Sequence, residues 1–111
     1  MNSGASNQVH AIVEEKREAV LALCRKHKVQ RLALFGSAVT NEFDPEHSDL
    51  DFVVEWEPTE GRARADNYFG LLFGLEELFG RHVDLVEREA VKNVFFRNSL
   101  EESQVTLYEA A

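Results

Sequence analysis

A single cysteine, Cys24, is the only thiol among 111 residues, so no internal disulfide braces this chain. Its neighbours in "AVLALCRKHK" place it on the buried side of a helix, as a core thiol rather than a reactive one. Long apolar runs are also missing: nothing approaches the roughly 20 residues of a membrane span. The opening "MNSGASNQVHAIVEEKREAV" lacks the basic start, apolar centre and small-residue cleavage site of a secretory signal. A cytosolic protein with no membrane contact is the expectation. Basic residues are scarce, 12 against 20 acidic ones, for a net charge of −8. Proteins that bind nucleic acid by neutralising phosphates need clustered Lys and Arg, so this balance argues against direct nucleic-acid binding. An acidic chain suits a basic partner, or a nucleotide approached through divalent metals.

What is present is a folding composition, 44% hydrophobic and 29% charged, with no internal repeat. Residues 1–8 are polar and expected to be poorly ordered; residues 9–111 are expected to form a single domain. From Val9 to His27 the apolar positions Val9, Ile12, Val13, Val20, Leu23 and Cys24 mostly follow three- and four-residue steps, which predicts one amphipathic helix. "RLALF" reads as a short buried strand stopping at Gly36, and "NEFDPEHS" as a loop. "DLDFVVEW" is a strand with Asp49, Asp51 and Val53 on one face and Leu50, Phe52 and Val54 on the other. A helix is expected from about Arg62 to Phe79, closed by Gly80. Gly70 and Gly74 inside it each cost about 1 kcal/mol relative to alanine, which implies a close backbone approach, most simply to the chain's own sheet, with a partner helix as the lesser alternative. "HVDLVE" is a further strand, with Val83 and Leu85 opposite Asp84 and Val86. "AVKNVFFRNSLEE" reads as a last helix and "VTLYE" as a terminal extension. The fold class is α+β: a small mixed sheet of three or four strands with helices packed against it.

The acidic residues make a pattern with chemical content. Same-face neighbours on a strand have Cα atoms about 6.5 to 7 Å apart, so Asp49 and Asp51 can lean together onto a cation. Magnesium takes hard oxygen ligands, commonly one or two carboxylates plus substrate phosphates. Asp84 has the same alternating context on a later strand. If the two strands are neighbours, three carboxylates converge at one end of the sheet, as two-metal phosphoryl or nucleotidyl transfer requires. Gly36 and Ser37 follow the first strand, where a glycine permits close approach of a phosphate and a serine hydroxyl can donate to it. A lone Asp-x-Asp is more often a solvated strand face. The ordered set of strand, Gly-Ser, loop, Asp-x-Asp strand, helix and Val-Asp-Leu-Val strand reverses that balance.

This ordered set resembles the minimal nucleotidyltransferases of the DNA polymerase β superfamily, through "LFGS" at Leu34 to Ser37, "SDLDFVV" at Ser48 to Val54 and "VDLVE" at Val83 to Glu87. The resemblance implies a nucleotidyltransferase fold. It implies that Gly36, Ser37 and Ser48 lie at the nucleotide triphosphate, and that Asp49, Asp51 and Asp84 hold two Mg2+ ions and form the catalytic set. Short stand-alone members of that family act as antitoxins beside an all-helical HEPN ribonuclease toxin, some by transferring AMP from ATP to a tyrosine hydroxyl of the toxin. The same role is the expectation here, with a non-catalytic antitoxin that neutralises its partner by complex formation as the alternative. Transfer to a small molecule is a third, weaker option, since the chain offers little additional substrate-binding structure.

One departure stands out. Family members commonly read Gly-Ser-Arg-Ala-Arg-Gly, whereas here Gly36-Ser37 is followed by Ala38, Val39, Thr40 and Asn41. Arg62, Arg64 and Arg81 are possible substitutes for the missing positive charge, though each reads more simply as a surface residue. His10, His27, His47 and His82 match no ligand spacing; His47, two residues before Asp49 in the loop, could reach the carboxylates. Trp56 and the eight phenylalanines read as core, except that Phe95 and Phe96, adjacent on a helix, cannot both face inward.

Overall fold

A computed structural model describes residues 9–40 and 42–110. The expectation for residues 1–8 therefore lies outside the described residues. In chain order the elements are α1 (Ala11–Glu14), α2 (Arg17–Lys26), β1 (Val29–Phe35), a short 3-10 turn (Gly36–Val39), β2 (Leu50–Trp56), α3 (Gly61–Phe79), β3 (Val83–Glu87), a second 3-10 turn (Arg88–Ala90), α4 (Val94–Ser103) and β4 (Val105–Glu109). The four strands form one mixed sheet in the order β3-β2-β1-β4. β1 pairs antiparallel with both β2 and β4, and β2 pairs parallel with β3. "VTLYE" is thus the outer strand beside β1. No helix among the described residues is long and apolar enough to cross a membrane.

Alternation along the strands divides the sheet into two faces. On one, Leu32, Leu34, Leu50, Phe52, Val54, Val83 and Leu85 pack against Val20 and Cys24 of α2 and Leu71, Leu75 and Phe79 of α3. This is the main core. On the other, Ala33, Val53, Val91 and Leu100 form a smaller cluster with Phe35 and Val86, which seats α4. Asp51 and Asp84 alternate with main-core residues, so they belong to the α4 face. Cys24 is fully buried, and burial pushes its thiol up to about 12, in keeping with a core thiol.

The structure departs from the sequence reading at several places. The single helix expected over Val9–His27 is two, interrupted at Glu15 and Lys16. Between the buried Val13 and Val20 the chain runs through charged residues, so no apolar side chain ties the intervening turn to the sheet. α4 starts at Val94 rather than Ala90: Val91 is extended and buried in the second cluster, and Asn93 caps the helix by accepting from the Phe96 N–H at 3.0 Å. Gly70 and Gly74 face α2 rather than the sheet. A Cβ at Gly74 would stand 2.8 Å from Leu23 Cδ2, and one at Gly70 would collide with the His27 ring. Phe69, Phe73, Phe95 and Phe96 are exposed, so half of the phenylalanines lie outside the core; Phe96 still packs edge-on against Phe35 while Phe95 points away. Gly80 ends α3 in the left-handed conformation, as the sequence indicates.

Lys28 joins α2 to β1 at φ 62, a left-handed conformation that costs a residue with a Cβ roughly 1 kcal/mol and glycine little. Lys28→Gly is therefore expected to stabilise the fold by about 0.5 to 1 kcal/mol. Urea unfolding followed by Trp56 fluorescence measures this; an unchanged or lower midpoint contradicts it.

Candidate active site

The site begins where β1 ends. Gly36 adopts φ 74, and a side chain there would strike Asp51 Oδ2 on the neighbouring strand, so both backbone conformation and space call for glycine. The following turn is held by the Ser37 carbonyl, which accepts from the Thr40 N–H at 3.1 Å and its hydroxyl at 3.0 Å. Ala38 and Val39 are buried in the main core. Where the family pattern has an arginine after Gly-Ser, this chain packs a methyl group inward.

The loop leading to Asp49 is closed by its own polar residues. The Ser48 hydroxyl accepts from the Asp44 N–H at 2.9 Å, and the Ser48 N–H donates to the Asp44 carbonyl at 2.8 Å. Backbone donation from Glu46, followed by the His47 ring 2.8 Å away, lowers the Asp44 carboxyl below its usual range. His47 is thereby turned to Asp44 and is not among the residues gathered at the carboxylates. Arg81 pins the same loop from the turn between α3 and β3, donating to the Ser48 carbonyl at 3.0 Å and the Pro45 carbonyl at 2.5 Å, with its guanidinium 5.2 Å from the Phe43 ring centre. Arg64 is engaged elsewhere, at 2.6 Å from Glu89 and 3.4 Å from Glu87. Both arginines thus have structural partners, and Arg62 is exposed.

At the end of this loop the acidic residues meet. β2 and β3 run parallel with Asp51 directly opposite Asp84. Asp51 is half-buried, and its carboxyl is raised to about 6, first by burial, then by the hydrogen bond and negative charge of Asp84, with a further contribution from Asp49. Asp49 and Asp84 are more exposed, and a ligand atom of each lies within 4.8 Å of the other and of one on His82. His82 immediately precedes β3, with Nε2 3.3 Å from Asp84 Oδ1 and Nδ1 3.5 Å from Glu76 Oε2.

Asp49, Asp51 and Asp84 are therefore brought together at one end of the sheet, beneath the Gly36 turn. Ser48 lies beside them as a loop-closing residue, and Ser37 sits in the turn itself. His82 was missed by sequence reasoning, which compared histidines with one another. The available signal was its two-residue spacing from Asp84, the same alternation that linked Asp49 to Asp51. Crowded carboxylates, among which the charges of Asp84 and Asp49 help raise Asp51, with oxygen donors predominating, are a donor set that fits a hard divalent cation.

Comparison with known proteins agrees with this geometry. The family model described as a nucleotidyltransferase domain matches residues 16–107. A Methanocaldococcus jannaschii protein named as a candidate protein adenylyltransferase is 39% identical over 83 residues, covering 75% of this chain and 81% of the relative. A second protein of that name and organism is 34% identical over 80 residues, covering 72% and 78%. Among solved structures, a candidate minimal nucleotidyltransferase superposes with a TM-score of 0.71 at 30% identity, covering 91% of this chain and 98% of that one. A toxin-antitoxin structure with AMP-PNP shares the fold, with a TM-score of 0.64 at 22% identity over 85% of this chain and 73% of its own. With the sequence match and the carboxylate geometry in agreement, the chain belongs to the nucleotidyltransferase domain family.

Proposed function

We propose that this nucleotidyltransferase is a protein adenylyltransferase acting as an antitoxin. It transfers AMP from ATP to a tyrosine hydroxyl of a partner HEPN ribonuclease toxin in the cytoplasm and uses Mg2+ to do so. The observation that carries the reading is the in-register pairing of Asp51 with Asp84, with Asp49 alongside and the Gly36 turn above. The M. jannaschii relatives named as candidate protein adenylyltransferases support the choice of AMP and of a protein acceptor. The toxin-antitoxin neighbours support the kind of partner only through a shared fold.

In this reading Asp49, Asp51 and Asp84 hold the dications, which would screen the triphosphate and the charge developing at the α-phosphorus. Gly36 and Ser37 lie against the triphosphate, the glycine because a bare backbone lets phosphate come close, and Ser48 lies at the edge of the same site. Asp84 accepts the proton of the incoming tyrosine hydroxyl. The tyrosine oxygen bonds to the α-phosphorus, the bond from that phosphorus to the bridging oxygen breaks, and pyrophosphate leaves. The Asp84 side chain is 57% exposed, so an acceptor carried on another macromolecule can reach it. The buried Ala38 and Val39 in place of the family's arginine pattern favour the competing reading, neutralisation by covering alone.

Two outcomes separate these readings. Incubated with labelled ATP, Mg2+ and the partner, the wild-type chain is expected to label the partner. Asp49→Asn with Asp51→Asn is expected to lose at least about a hundredfold in rate, because several kcal/mol of charge stabilisation depend on these groups. Equal inertness of the two proteins, with neutralisation intact, overturns the catalytic reading.

The carboxylates also set a pH dependence. The folded carboxyl of Asp51 lies near 6, above the ordinary value of about 3.9 in the unfolded chain. Its contribution to stability is therefore present in full below about pH 4 and is lost as pH rises to about 6. Asp51→Asn is expected to be more stable than wild type above pH 6 without metal, the gap closing toward pH 4. Added Mg2+ is expected to stabilise wild type more than the variant. Thermal melting across that pH range checks both, and a gap independent of pH contradicts the coupling.

A further inference from the structure

The imidazole of His82 stands between two carboxylates on different elements. Glu76, in the last turn of α3, accepts the Val83 N–H through Oε2 at 3.2 Å and lies 3.5 Å from His82 Nδ1. Its position is thus tied to the backbone of β3. The other ring nitrogen, Nε2, is 3.3 Å from Asp84 Oδ1. A neutral imidazole carries one N–H. In the metal-free chain the ring's hydrogen bond falls on the Asp84 side; when a dication takes the Nε2 lone pair there, the single hydrogen is left on Nδ1, facing Glu76.

A carboxylate behind one ring nitrogen and open ligand space before the other is how metal-binding histidines are commonly oriented. Ligand atoms of Asp49, His82 and Asp84 lie within 4.8 Å of one another. Neighbouring ligand atoms at about 2.0 to 2.2 Å from one tetrahedral ion are about 3.4 Å apart, a separation that His82 Nε2 and Asp84 Oδ1, 3.3 Å from each other, already match. Imidazole nitrogen suits first-row transition dications, whereas magnesium prefers oxygen and gains little from it.

We propose that His82, oriented by Glu76, is a direct nitrogen ligand of a dication shared with Asp49 and Asp84, and that it biases this site toward Mn2+, Co2+ or Zn2+ over Mg2+. The inference rests on reading these carboxylates as a dication site. His82 then sets which metal the site prefers, a property distinct from which nucleotide or acceptor it uses.

Mn2+ provides the test. Wild-type protein stripped with a chelator and loaded with MnCl2 is expected to show 14N modulation from directly coordinated nitrogen in pulsed electron paramagnetic resonance, and His82→Gln to lose it. By Mn2+ titration the variant is expected to bind about tenfold or more weakly, while its Mg2+ affinity changes by less than about twofold. Bound Mn2+ without 14N modulation in the wild type, or equal losses for both metals in His82→Gln, overturns the role of His82 and leaves the dication site standing. Failure of the wild type to bind either metal overturns both. Because the spectrum is read on wild-type protein, the result does not depend on how well the variant folds.

Discussion

The parallel pairing of β2 with β3 is the constraint on which the site depends. Side chains alternate along a strand, so a shift of one residue would turn every acidic side chain of one strand to the opposite face. The register that places Asp51 opposite Asp84 also places Leu50 opposite Val83 and Phe52 opposite Leu85. Those apolar residues are locked into the main core beneath α2 and α3. The core thereby fixes the register, and the register forces like charges together. The energy of bringing carboxylates into contact is offset by apolar burial on the far side of the same two strands.

The elements around this pair hold the approach to it. Arg81 and Ser48 tether the loop that delivers Asp49, and the Gly36 turn lies close enough to Asp51 that no side chain fits between them. α4 is seated over the same sheet face by Leu100 and Val91, leaving Phe95 exposed. Arg64 braces β3 from α3 through Glu87, whose carboxylate also accepts the Trp56 indole N–H at 2.7 Å. A site of crowded negative charge is thus framed by elements held through their own hydrogen bonds and apolar contacts.

Much of this was legible in the sequence because strand alternation is a strong signal. The two faces of "DLDFVV" and "VDLV", the left-handed Gly80 and the buried Cys24 all follow from period and residue type. Less legible was whatever depends on contacts between distant segments. The break between α1 and α2 arises because a charged run leaves no anchor between Val13 and Val20, although the apolar steps on either side suggest one continuous helix. Gly70 and Gly74 announced a close approach without saying that α2 makes it. Phe69 and Phe73 read as core yet lie exposed, because hydrophobicity alone does not count how much core a small sheet can offer. The adjacency of Phe95 and Phe96, by contrast, already shows that one of them must face out. His82 escaped notice since its significance lies in Glu76 and Asp84, one of which comes from another element.

The central claim is that the fold presses Asp51 against Asp84. Carboxyl-carbon NMR of Asp51 across pH tests it most directly, in the metal-free wild type and in Asp84→Asn. The account predicts a wild-type midpoint near 6, and in the variant a fall that stops short of the ordinary aspartate value, because burial remains after the neighbouring charge is removed. An ordinary midpoint in the wild type, or one that Asp84→Asn leaves unmoved, would contradict the account.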